Sequence, residues 1–229
     1  MGAVKSAAAG SAGGASGDRE CARRAPRPRA DALRNRERIV AAAREMFVEH
    51  GPDVPLDEIA RRAGVGNATL YRHFPDRAVL IRDVVVAVLD RVSRQAEAAM
   101  AEEADSFAAV RRFVHTAAEE RIGALCPMLS GAFDTAHPDL DDGRERLEGA
   151  VQSLVERAQS AGRMRDDVAV GDLMVALSQL ARPLPGTVCP NMDRFVHRHL
   201  QLFVDGLEAP ARSELPGVPA TLGDLRSTS

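Results

Sequence analysis

Between Asn67 and Arg77 the chain concentrates side chains suited to reading and gripping a nucleic acid: Asn67, Thr69, Tyr71, Arg72, His73 and Arg77. An arginine fork matches the two acceptors on the major-groove edge of guanine. An asparagine amide matches adenine, and a threonine methyl can meet the methyl of thymine. Asn67, Thr69 and Arg72 are therefore the candidates for base edges, with Ala68 among them at the same surface. Tyr71 and His73 suit phosphate oxygens, and Arg77 adds positive charge beside them. The plainer alternatives stay open: Tyr71 as a packing residue with an exposed hydroxyl, and His73 as an ordinary surface residue.

These residues need a scaffold, and the neighbouring sequence has the spacing of a helix-turn-helix. Ile59, Ala60 and Ala63 repeat on one helical face, while Asp57, Glu58, Arg61 and Arg62 fall on the other. Gly64 follows directly and supplies the backbone that ends a helix in a sharp turn, with Val65 placed to plug the gap between two steeply crossing helices. A second helix is expected from Asn67, as its cap, to Phe74. Leu70 and Phe74 share its inner face, and a polar, cationic outer face remains. Pro75 stops it, and Asp76 is placed to cap a long third helix from Arg77. An ordinary pair of short helices in a bundle has no need to combine a tight glycine turn with an exposed basic second helix.

The string Leu56 to Leu80, LDEIARRAGVGNATLYRHFPDRAVL, resembles the DNA-binding domain of the tetracycline-repressor (TetR) family of bacterial regulators. The match rests on IA at Ile59 and Ala60, AGV at Ala63 to Val65, TLYRHF at Thr69 to Phe74, and Arg77. By motif it covers about Arg34 to Leu89. The resemblance implies an all-α fold, with an N-terminal three-helix helix-turn-helix DNA-binding domain joined to a larger helical dimerisation and effector domain. It also implies a DNA-binding transcriptional regulator: a repressor that holds a near-palindromic, double-stranded operator as a homodimer until a small-molecule effector releases it. The chain departs from the common pattern twice. Val54 and Pro55 stand where many members have a Ser or Thr cap, so Pro55 is expected as the first helical residue, helped by Asp53. Gly66, Asn67 and Ala68 replace a common serine, lysine and glycine, which leaves the base preference open.

Composition points the same way. The 229 residues, 45% hydrophobic but only 3% aromatic with no Trp, suit helices and a sizeable core better than a β-sandwich. Net charge is -3, but its distribution is uneven: residues 1–82 carry 15 Lys and Arg against 10 Asp and Glu, while residues 83–229 carry 15 against 23. Such asymmetry is what a DNA-facing head on an acidic body would show. Cys21, Cys126 and Cys189, odd in number and far apart, argue against a disulfide framework or a zinc site. No apolar run marks a membrane span or signal peptide, so a cytoplasmic protein with no membrane partner is expected.

The expected division is a disordered basic arm over 1–30, the DNA-binding domain over 31–78, a helical effector-binding and dimerisation domain over 79–209, and a disordered tail over 210–229. The arm's RRAPRPRA stretch either settles along DNA or adds nonspecific attraction alone. A first helix is expected from Asp31 to His50, closed by Gly51. The pattern from Leu80 through Val92 extends the helix begun at Arg77 to about Ala101, although Val84 to Val86 looks strand-like locally. Further helices are expected over Asp105 to Leu125, around Leu140 to Gly162, over Val170 to Leu184, and over Met192 to Leu207. The last two carry more apolar residues than one buried face needs, and Leu173, Leu177, Phe195, Leu202 and Phe203 are the expected dimer contacts.

For the effector, Arg121 would fall on the apolar side of the Asp105–Leu125 helix, where a cation needs a partner or an anionic ligand. Phe113, Met128, Phe133 and His137 could line a pocket with it, or serve as core. Catalysis has no support: GxSxG, HExxH and P-loop motifs are missing, and His197 and His199, two apart on a helix, make a poor metal pair. No cofactor is expected. The rival within the same fold is a dimeric small-molecule binder that has lost operator-specific DNA binding, against which TLYRHF and Arg77 argue.

Overall fold

The computed structural model describes residues 28–121, 137–182 and 192–224. Among them are eight helices and no strand: α1 Pro28–His50, α2 Leu56–Ala63, α3 Asn67–His73, α4 Arg77–Glu102, α5 Ser106–Glu119, α6 Pro138–Ser160, α7 Val170–Leu180 and α8 Met192–Leu207. The fold is all-α. The first three helices form the helix-turn-helix head, α4 leads out of it, and α5 to α8 build the body. No described helix is long and apolar enough to cross a membrane.

The head is built from local signals. On α2, Ile59, Ala60 and Ala63 are buried. Gly64 then adopts φ 65° and ψ 38°, the left-handed conformation that costs glycine little. Its N–H donates to Arg61 O at 3.1 Å and that of Val65 to Ala60 O at 3.0 Å, so the last carbonyls of α2 find partners inside the turn. Two expected caps are corrected. Pro55 is the N-cap of α2 rather than its first residue, with no side-chain cap from Asp53 or any other group; its carbonyl accepts from Glu58 N and Ile59 N. Gly66 is the N-cap of α3, because its carbonyl already accepts from Thr69 N and Leu70 N, which leaves the Asn67 side chain free of capping. Asp76 caps α4 as expected, accepting from Val79 N at 2.9 Å. Val84 and Val85 are buried on α4, where helical packing overrides their strand preference.

One core runs from Ile39 in α1 to Leu207 in α8, with Phe47, Phe74, Phe107 and Phe113 fully enclosed. The body departs from expectation in three places. First, α5 ends at Glu119, and Arg121 has a φ of 51°, so Arg121 stands beyond the helix and not on its apolar face. Second, α7 stops at Leu180, before the expected Leu184, and the loop and Cys189 after it fall outside the described residues, as do Cys21, Cys126 and the arm up to residue 27. Third, the chain after Pro210, expected to be without structure, follows the body as far as Asp224. The buried Arg165 guanidinium donates to Ser213 O at 2.7 Å and to Asp167, and Asp172 accepts from Ala220 N at 3.2 Å. Leu222 packs against the core. A Cβ on Gly171 would lie 2.2 Å from Ala220 O, so this crossing requires glycine.

Candidate nucleic-acid interface

Helix α3 is two turns long and divides cleanly. Leu70 and the C-cap residue Phe74 are fully buried; Asn67, Ala68, Tyr71 and Arg72 are exposed, and Thr69 and His73 half-buried. The sequence thus locates the outward face of this helix. Tyr71 is 51% exposed, so much of its ring as well as its hydroxyl faces solvent.

Electrostatics separate the cations of the head in a way that spacing alone does not. Arg62 of α2 is bound by Glu45 at 2.9 Å and Glu49 at 3.5 Å, both on α1, and these carboxylates raise its pKa. Arg61 lies 3.9 Å from Glu58. Arg77 is half-buried, and its Nη1 donates to Pro52 O at 2.5 Å, so one prong holds the α1–α2 turn. Among the described residues Arg72 makes no ion pair or hydrogen bond. It is a whole positive charge directed at solvent.

Two arginines missed in the sequence reading brace α3, one through the turn that precedes it and one at its last residue. Arg38 donates to Ala63 O at 2.6 Å and Gly64 O at 3.0 Å, in the turn. Arg36 donates to His73 O at 3.4 Å, pairs with Asp83 of α4, and lies over the Phe74 ring, 4.8 Å from its centroid. Their sequence signal was weak, because an arginine on an amphipathic helix usually marks its solvated face.

Below the head, the buried Glu120 at the end of α5 accepts from Arg44 of α1 at 3.1 Å and from Gln95 of α4 at 3.3 Å, with Arg91 at 3.5 Å. This ties head to body through charge. Of the residues expected to line an effector pocket, Phe113 is fully buried, Arg121 follows the end of α5, and Met128 and Phe133 fall outside the described residues. His137 is the N-cap of α6, its Nδ1 accepting from Asp139 N at 3.3 Å. An open cleft between α4 and α6 is lined by Val86, Asp139, Asp142, Glu145 and Arg146.

The expected dimer contacts split. Leu173 and Leu177 are buried at 0% and 1% exposure inside the subunit, because α7 turns this face into its own body, and they are corrected to core. Phe195 and Leu202 of α8 are 47% and 62% exposed, Val175 of α7 is also exposed, and Phe203 is half-buried. His197 does have a histidine partner, though not His199: its Nδ1 lies 3.1 Å from Nδ1 of His115 on α5. Among the described residues no cluster of three or more metal-ligating side chains forms.

Comparison with known proteins places this architecture. Residues 39–84 match the model of bacterial regulatory proteins of the tetR family, and residues 102–209 that of a transcriptional regulator SbtR-like C-terminal domain. The chain belongs to the TetR family and is a DNA-binding transcriptional regulator. Among solved structures it is 30% identical to a TetR transcriptional regulator from Streptomyces coelicolor, over 77% of this chain and 99% of that one, with a TM-score of 0.60. A TetR transcription regulatory protein from Mycobacterium vanbaalenii is also 30% identical, over 79% and 99%, with a TM-score of 0.60. Among curated relatives, the HTH-type transcriptional regulator TtgW of Pseudomonas putida, described as uncharacterized, is 42% identical over 59 residues, 25% of this chain and 44% of that protein. The chain therefore spans less than half the length of this curated relative.

Proposed function

We propose that the protein is a repressor that binds a near-palindromic operator as a homodimer and is released by a small-molecule effector. The observation that carries the DNA part is Arg72, unpaired among the described residues, on an outward face shared with Asn67, Ala68 and Thr69, while Arg62 of α2 is neutralised by glutamates. In this reading Asn67, Ala68, Thr69 and Arg72 meet base edges, and Tyr71, His73 and the remaining prong of Arg77 meet phosphates. Dimerisation is supported by the exposed Phe195, Leu202 and Val175, which a second copy would cover in a four-helix bundle of α7 and α8. Such a dimer sets two α3 helices in successive major grooves about one helical turn apart or somewhat more.

Selection from random duplex DNA tests the reading: the full chain should enrich two inverted half-sites. Enrichment of no sequence would favour the rival, a dimeric binder without operator specificity. A monomer by light scattering at micromolar concentration would remove the dimer. Release rests on family membership and on differential binding: a ligand preferring one spread of the heads shifts the dimer away from DNA. Contact through Phe113, Arg121, Met128, Phe133 or His137 is proposed for it. Compounds that free selected DNA from the wild type should lose effect in Arg121→Ala, and a retained response removes Arg121 from that set.

A further inference from the structure

Helix α3 has little of its own to fix its attitude. It is two turns long, has no side-chain cap, and inserts only Leu70 and the following Phe74 into the core. Two apolar anchors in line leave a short helix free to rock about the line joining them. Arg36 and Arg38 remove that freedom. Being two positions apart on α1, they leave it in directions about 160° apart. Arg38 binds the carbonyls of Ala63, the last residue of α2, and Gly64, so it fixes the turn that leads into α3. Arg36 binds its far end.

The contacts of Arg36 use the whole guanidinium. In its plane, Nη1 donates to His73 O and Nη2 pairs with Asp83 of α4; its face lies on the Phe74 ring. The His73 carbonyl belongs to the last turn of α3, where carbonyls lack intrahelical partners and partial negative charge accumulates. A planar, delocalised fork can bond in two directions and stack at once, whereas a lysine ammonium, a point charge, cannot. With Asp83 neutralising it and Phe74 covering a face, Arg36 is committed to the protein in a way Arg72 is not.

We propose that Arg36 is a positioning residue for base recognition: by fixing the C-terminal end of α3 against α1 and α4, it sets the discrimination of Asn67, Thr69 and Arg72 between sequences without itself touching DNA. This rests on the reading of α3 as the base-reading helix. Base readout through paired hydrogen bonds is directional, so a small tilt of α3 degrades it, while the phosphate attraction that governs nonspecific binding depends mainly on charge.

The test uses the full-length protein and the duplex that the wild type selects from a random pool, with a scrambled duplex as reference. Kd is measured on both over a salt series for the wild type, Arg36→Met, Arg36→Lys and Asp83→Asn, with folding checked by circular dichroism. Arg36→Met and Arg36→Lys should each lower the selected-to-scrambled ratio by about tenfold, within the range that one bidentate base contact supplies. Asp83→Asn should lower it less. Affinity for the scrambled duplex and the salt slope should not change in Arg36→Lys. If Arg36→Met does not fold, Arg36→Lys carries the test. An unchanged ratio in a folded Arg36→Lys overturns the positioning role. So does an equal loss on both duplexes in Arg36→Met with a salt slope lowered by about one, the mark of a direct phosphate contact. A wild type that selects no sequence overturns the base-reading role of α3, and this proposal with it.

Discussion

Helices α2 and α3 lie side by side against α1, similar in length, each with apolar residues turned inward and cations in the last turn. Their cations have opposite fates. Those of α2 face glutamates: Arg62 meets Glu45 and Glu49, and Arg61 stands near Glu58. Arg72 of α3 meets none among the described residues. The number of basic residues in a segment therefore overstates the charge it offers a polyanion. What counts is the charge left after the neighbouring helix has taken its share, and α1 takes it from α2 alone.

That contrast can be broken or sharpened in steps of decreasing size. Leu70→Ala, which empties the one fully buried position within α3, should cost about 2 to 5 kcal/mol of stability in denaturant titrations. A smaller loss would mean that Arg36 and Arg38 hold α3 with little help from its core anchor. Arg72→Ala should leave the melting temperature in place yet cost about 1 to 3 kcal/mol on the selected operator, with relaxed sequence preference. Equal losses on operator and random duplex would place Arg72 on phosphate. Arg62→Ala, the matched change on α2, should alter stability little, since its partners are half in water, and should leave operator affinity where it was. A loss of affinity as large as that from Arg72→Ala would erase the distinction between the two helices.

The smallest effect belongs to the body. Asp167 is held below the usual carboxylate value of 3.8, first by the hydrogen bond from Arg165, and Asp105 likewise, first by the N–H of Ala108. A depressed folded value means that the stabilisation is present above about 3.8 and is lost as pH falls through the lower folded value. Acid unfolding should therefore steepen below about pH 4, and Asp167→Asn should flatten that limb. An acid response unaffected by Asp167→Asn would show that the Arg165–Asp167 pair contributes nothing to it.

Much of the head was legible in the sequence, because its signals are local. Gly64 takes the left-handed turn its position required, Asp76 caps α4, and Leu70 and Phe74 point inward at helical spacing. The caps of α2 and α3 were misjudged by one residue, since a backbone carbonyl, Pro55 or Gly66, does the work that a side chain was expected to do. In the body the same reasoning faltered. On α7 apolar residues occur nearly all round, so periodicity did not separate Leu173 and Leu177, which face inward, from Val175, which faces out. Nor did it find the end of α5, where Arg121 turns left-handed, or the crossing of Ala220 over Gly171.

The sequence by itself determined the family, the helix-turn-helix and the residues on the outer face of α3, because these follow from helical periodicity, a glycine turn and a proline stop within a few dozen residues. Only the tertiary structure decided which of those residues carry free charge, how Arg36 holds the last turn of α3 and Arg38 the turn before it, which apolar side chains are left for a second copy, and how Glu120 joins α5 to Arg44 of α1. Each of these depends on groups far apart in the chain being brought within a few ångströms, and spacing along one helix carries no record of what its neighbour places opposite.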